Sequence, residues 1–116
     1  MHDRSQVLQQ AVDLHRRGRL AGAEEAYLRL LREQPDNFDA LHFLGVLRYQ
    51  QRRLDEALSL IATALRQNPT FPPALLNHGL VLDALGRPEE ALASYDRALA
   101  LQPRYAEALY LSLIHI

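Results

Sequence analysis

The chain has 116 residues, 13 basic and 14 acidic, a formal net charge of −1 and 48% apolar side chains. That length builds one small core, and that composition excludes a disordered polar chain. Cysteine is absent and all 13 basic residues are arginine, which removes disulfides, thiolate metal sites, lysine-bearing phosphate loops and Schiff-base chemistry, while the balanced charge removes the footprint of non-specific nucleic-acid binding.

The first residues, MHDRSQVLQQ, carry Asp3 and Arg4 with no apolar run behind them, unlike a secretory signal. No window approaches the ~20 apolar residues that cross a bilayer. The expected location is the cytoplasm, away from membranes.

From Arg4 onward one pattern recurs every 34 residues. Pro35, Pro69 and Pro103 share that step, as do Ala23, Ala57 and Ala91, and Leu31, Leu65 and Leu99. Tyr27, Ile61 and Tyr95 form a further series, and Gly45 and Gly79 follow Ala11. A fixed period of this size marks stacked supersecondary units. The units run over 4–37, 38–71 and 72–105, and a fourth occupies 106–116. Together they make a single array over 1–116.

Each unit reads as two helices. Leucine supplies 24 residues and alanine 16, against seven valines and isoleucines together, a balance that favours helix over strand. In the first unit Gly18 ends one helix and the next carries Ala23 and Tyr27. Asn37 is suited to cap the second unit. That unit places Leu41, Leu44 and Leu47, then Leu54, Leu58, Ile61 and Leu65, at helical spacing. Asp55 and Glu56 sit at the start of its second helix, where negative charge is favourable. In the third unit Pro72 fixes φ after the poor cap Phe71, Gly86 ends the first helix, and Pro88 with Glu89 and Glu90 opens the second. Small residues on both helices of a pair let their axes approach closely. The expected fold is all-α: a solenoid of antiparallel helix hairpins, three full repeats and part of a fourth.

The 34-residue step, LHFLGVL followed by Ala57, Ile61, Ala64 and Pro69, and LLNHGLVL followed by Ala91, Tyr95, Ala98 and Pro103 resemble the tetratricopeptide repeat. The family's tryptophan place holds Val7, Leu41 and Leu75. The resemblance covers the whole chain. It implies a right-handed superhelix with a concave groove that binds a peptide or protein without catalysis and without a cofactor.

The resemblance also implies that the first helix of each pair lines the groove. Leu8, Val12, His15 and Arg16 would come from the first unit, His42, Phe43, Val46, Tyr49 and Gln50 from the second, and Leu76, Asn77, Leu80 and Asp83 from the third. Leu8/Val12, His42/Val46 and Leu76/Leu80 are each four apart, so each pair shares a helix face. They either form one apolar strip for a guest or pack against neighbouring helices. The chaperone-binding branch of the family uses lysine, arginine and asparagine in the groove. Val12 and Val46 stand at the asparagine places and lysine is absent, so the likeness stops short of a co-chaperone. A second branch fronts O-linked N-acetylglucosamine transferases and carries a ladder of asparagines. Asn77 matches a rung, Gln9, Phe43 and Leu111 do not, and DALHFLGVLRYQQRRLDEAL looks like the early repeats of bacterial members. On that reading a catalytic domain lies beyond residue 116.

The residues offer little to an enzyme. Ser5, Ser59, Ser94 and Ser112 lie outside any G-x-S-x-G turn. His2, His15, His42, His78 and His115 form no H-E-x-x-H pair. His42 and His78 hold nearby places in adjacent units and could approach each other, but two imidazoles without a carboxylate read as core or groove groups rather than a metal site. Glu24/Glu25 and Glu89/Glu90 diverge by about 100° on a helix and read as solvated faces. Arg16, Arg17 and Arg19, then Arg52 and Arg53, fall at turns. They read as solvated turns more readily than as a phosphate or acidic-partner site. At the end, Leu113 takes the Gly45/Gly79 place and LSLIHI leaves no polar outer face. This points to a fragment or a foreign tail and to self-association through the exposed C-terminal helix.

Overall fold

The computed structural model describes residues 4–102. These residues form six helices: α1 (Arg4–Arg16), α2 (Leu20–Glu33), α3 (Phe38–Gln50), α4 (Leu54–Gln67), α5 (Pro72–Ala84) and α6 (Pro88–Leu101). No strand occurs among the described residues. The helices pair as hairpins α1–α2, α3–α4 and α5–α6, and successive hairpins meet through α2 on α3 and α4 on α5. The first helices also touch, α1 with α3 and α3 with α5. This is a solenoid of neighbour contacts and not a closed bundle. The expected fourth unit at 106–116, the groove place at Leu111 and the self-associating C-terminal helix lie outside the described residues.

The turns inside the hairpins share one geometry. Gly18, Arg52 and Gly86 have φ of 77°, 63° and 77°, in the left-handed region that glycine enters without cost. Each turn closes with the N–H of the next arginine donating five residues back: Arg19 to Leu14 O at 2.9 Å, Arg53 to Arg48 O at 2.8 Å and Arg87 to Leu82 O at 2.9 Å. That is a Schellman closure, which satisfies carbonyls at a helix end. Arg52 is the one non-glycine residue with positive φ among those described. Helix starts follow the expected chemistry. Asn37 Oδ1 accepts from the Ala40 N–H at 3.0 Å, Phe71 makes no side-chain cap, and Pro72 and Pro88 open α5 and α6.

Small residues set the helix separation. A Cβ on Gly45 would stand 2.5 Å from Ile61 Cγ1, and one on Gly79 would stand 2.5 Å from Tyr95 Cε1. Ala11 is buried beside Tyr27 in the first core cluster, which Leu44 and Leu47 of the second hairpin complete. Ala57, Ile61 and Val81 form a second cluster, flanked by Tyr49, Leu58, Leu65 and Leu85.

The two ends of the array differ. Leu44 and Leu47 pack α3 onto the hairpin before it, whereas their counterparts in α1, Gln10 and Asp13, are exposed. Leu58 packs onto the second cluster, whereas its counterpart in α6, Leu92, is 59% exposed.

Candidate functional site

The first helices bring a shallow cleft to the surface between the second and third hairpins. Val46, Tyr49, Ile61, Asn77, Leu80 and Val81 line it, and it is a surface crease that encloses no space large enough for a water molecule. Four of these, Val46, Tyr49, Asn77 and Leu80, are expected groove residues. Ile61 and Val81 are additions: Ile61 reads from sequence as a core residue, and Val81 carries no assignment there.

Apart from His15, the remaining expected residues divide into three groups. Leu8, Val12 and Phe43 are half-buried and lean on the first core cluster. Phe43 also stacks on Tyr27, with ring centroids 6.1 Å apart. Arg16, Gln50 and Asp83 are exposed. His42 and Leu76 differ from the expected strip, being only 5% and 2% exposed. His42 sits inside the wall rather than on it. Phe38, Phe43 and Phe71 surround its ring, with centroids 6.1, 5.4 and 5.9 Å away. The continuous strip is therefore interrupted at both places.

Hydrogen bonds tie the first helices across the hairpins. His15 Nε2 donates to Gln50 Oε1 at 2.6 Å, and its Nδ1 accepts from the Tyr27 hydroxyl at 2.9 Å. Burial raises the Tyr27 phenol well above its ordinary value and pushes that of Tyr95 up to about 12. Asn77 Nδ2 donates to His42 Nε2 at 2.9 Å. Burial lowers His42 to about 4, so the ring is neutral at physiological pH. His78 does not meet His42. Its Nδ1 is 2.8 Å from the buried Ser94 Oγ, and burial lowers its pKa first, with nearby Arg97 adding to the effect. His78 and Ser94 stand at the places of Leu44 and Leu60 in the second hairpin. The pair replaces an apolar contact with a hydrogen-bonded one inside the third.

An ionic cluster that sequence reasoning missed joins the first two hairpins. Arg48 on α3 contacts Glu24 on α2 at 2.9 Å and Glu56 on α4 at 3.1 Å, and its side chain is 8% exposed. Arg48 Nη1 also donates to Gln51 Oε1 at 2.9 Å. The hydrogen bond from Arg48 holds the Glu24 carboxyl below its ordinary value. Glu24 had read as a solvated face. The signal that marks it otherwise is its register with Leu58, a residue of the next seam.

Among the described residues no helix is long and apolar enough to cross a membrane. No three His, Asp or Glu side chains converge there in a way that would hold a metal ion.

Hairpins stacked in series, with a shallow crease between first helices, define a helical-repeat protein. The tetratricopeptide repeat family matches residues 8–72 and 76–112, and the chain belongs to that family. The CTR9 homolog of Arabidopsis thaliana is 33% identical over 110 residues, which are 94% of this chain and 10% of that protein. A point mutant of the O-GlcNAc transferase of Thermobaculum terrenum superposes with a TM-score of 0.87 at 33% identity, over 95% of this chain and 22% of that one. YrrB, described as a tetratricopeptide protein with an unusual peptide-binding site, superposes with a TM-score of 0.81 at 24% identity, over 97% of this chain and 58% of that one. The chain thus spans only a small part of the curated relative and of the transferase.

Proposed function

We propose that this chain is a non-catalytic, cytoplasmic interaction module that holds a peptide or protein segment along the groove of α1, α3 and α5. The observation that carries the reading is the cleft of Val46, Tyr49, Asn77 and Leu80. It sets apolar walls beside one amide and one phenol, the mix that binds a segment by shape and a few oriented polar contacts. The surface is built before the guest arrives, so little ordering entropy is lost on binding. Family membership supports the reading, because tetratricopeptide domains commonly bind proteins or peptides. The test is selection of a displayed random-peptide library on the purified chain. Selected peptides should lose binding to Val46→Ser/Leu80→Ser while its helical circular dichroism persists. Peptides that bind that variant equally well, or a library that yields none, overturn the groove reading.

A second reading is favoured by the transferase likeness at 33% identity. On it, the array selects substrates for an O-linked glycosyltransferase domain encoded beyond residue 116. The natural reading frame decides: a nucleotide-sugar domain after these repeats supports it, and further repeats or a stop overturn it.

A further inference from the structure

The turns inside the hairpins lie along one edge of the array, and contacts at their flanks hold the first two side by side. His15 Nε2 meets Gln50 Oε1 at 2.6 Å, while Arg48 holds Glu24 and Gln51, each at 2.9 Å. These two turns are basic. Residues 15–20 carry three arginines and residues 49–54 carry two, with no acid in either stretch, whereas residues 83–88 carry one arginine and one aspartate.

The arginine that closes each turn holds the same place in the period: Arg19, Arg53 and Arg87. Two of them are neutralised within the fold. Arg53 donates to Glu56 at 2.8 Å, and Arg87 donates to both oxygens of Glu90 at 3.0 and 2.7 Å. Three residues after Arg19 stands Gly22, so the first turn lacks the acid that the other two use. Arg16, Arg17, Arg19 and Arg52 are all exposed, and none makes an ion pair or a side-chain hydrogen bond among the described residues. The acids nearest in sequence do not reach them. Glu24 and Glu56 are committed to Arg48, Asp13 accepts from Gln9 at 3.3 Å, and Glu25 and Asp55 make no ion pair among the described residues. Arg52 adds an independent sign. It takes the left-handed place, at φ 63°, that glycine fills in the other two turns. A side chain kept at a strained place, with no partner inside the fold, points to a partner outside it.

We propose that Arg16, Arg17, Arg19 and Arg52 form a docking strip for an acidic protein segment, rich in aspartate and glutamate, on the turn edge and apart from the groove. Four guanidinium groups spread over two neighbouring turns match carboxylates repeated along an extended chain. A single phosphate would need them gathered around one point. Nucleic acid fits less well on two counts. Residues 16–19 and 50–53 hold no aromatic ring for a base to stack on, and the whole chain carries a charge of −1. Exposed charges of this kind steer a partner and select it more than they tighten it.

NMR titration of the chain with a synthetic peptide of alternating glutamate and glycine tests the strip. The Nε–Hε signals of Arg16, Arg17, Arg19 and Arg52 should shift saturably, and those of Arg53 and Arg87 should move little. Arg16→Gln/Arg17→Gln/Arg19→Gln should weaken binding about tenfold. Salt at about 1 M, where the screening length is ~3 Å, should do the same. Arg53→Gln/Arg87→Gln should change it less than about twofold, because those charges are already paired. Arg52→Gly should weaken the peptide about twofold while raising the thermal midpoint, so binding and stability move in opposite directions. No saturable shift, or equal shifts at all six arginines, overturns the strip. Inorganic phosphate that shifts the same signals as strongly as the peptide at equal concentration overturns the extended-segment reading. An oligothymidylate of equal charge that binds as tightly as the peptide overturns the choice of a protein partner.

Discussion

The two seams of the array are built on the same backbone and from opposite chemistry. Between the first and second hairpins, Glu24 faces Arg48, which also holds Glu56. Between the second and third, the places of Glu24 and Arg48 are taken by Leu58 and Leu82, and Leu58 packs with Val81 and Leu85 nearby. What the seams have in common lies elsewhere. Alanines and glycines inside the hairpins set helix separation, and Schellman turns set hairpin shape. The shape of each hairpin is therefore set by residues other than those that fill the outer part of each seam. The charged pair adds discrimination. If the first hairpin stacked on the third, Glu24 would meet Leu82 and lose its cation, a costly arrangement for a half-buried carboxylate.

The largest expected effect concerns the second seam and pH. The fold holds His42 at about 4 against an ordinary 6.5. Within that window the unfolded chain takes up a proton that the folded chain refuses, so stability falls as pH falls from 6.5 towards 4. Linkage puts the loss from this group at roughly 3 kcal/mol. Urea unfolding at stepped pH checks it, and His42→Gln should make the profile shallower, leaving the slope that His78 contributes in the same direction. A wild-type slope retained in that variant would break the assignment.

A smaller effect is expected at the first seam. Arg48→Met should cost about 2 kcal/mol, below the usual range for breaking a buried pair because both carboxylates reach solvent. Their side chains are 30% and 50% exposed. The double variant Glu24→Leu/Arg48→Leu gives the first seam the residues of the second. It should recover to within about 1 kcal/mol of the wild type or exceed it. A double variant as unstable as the single would mean the two seams differ in geometry after all. The smallest effect is a control outside both seams. Arg52→Gly removes a side chain from φ 63° and should stabilise by about 1 kcal/mol, read as a raised thermal midpoint.

Much of this was legible because the period fixes equivalence. Helix pairs follow from the period, while the Asn37 cap, Pro72 and Pro88 at helix starts and the glycine turns at Gly18 and Gly86 follow from local chemistry. Arg52 falls in the same series as Gly18 and Gly86, so even its strained φ could be read from register, though arginine gives no such hint by type. The cleft was legible in part. Val46, Tyr49, Asn77 and Leu80 share the faces that helical spacing assigns them. His42 and Leu76 occupy equivalent places and yet are buried. Spacing along one helix does not reveal how close the next first helix lies, nor that Phe38 and Phe71 fold over the imidazole. The Glu24–Arg48–Glu56 cluster was hidden for the same reason: its members lie on three helices, and their meeting depends on the stacking angle.

The exposed Gln10 and Asp13 on α1, set against the exposed Leu92 on α6, give the array a direction of growth. As synthesis proceeds, the growing stack keeps the wettable back of α1 and presents an oily front, and the front is the side on which the next hairpin will be delivered. Assembly can then advance one hairpin at a time along the described array. At every stage the surface most prone to sticking is the one nearest the ribosome, where the segment that will cover it is about to emerge.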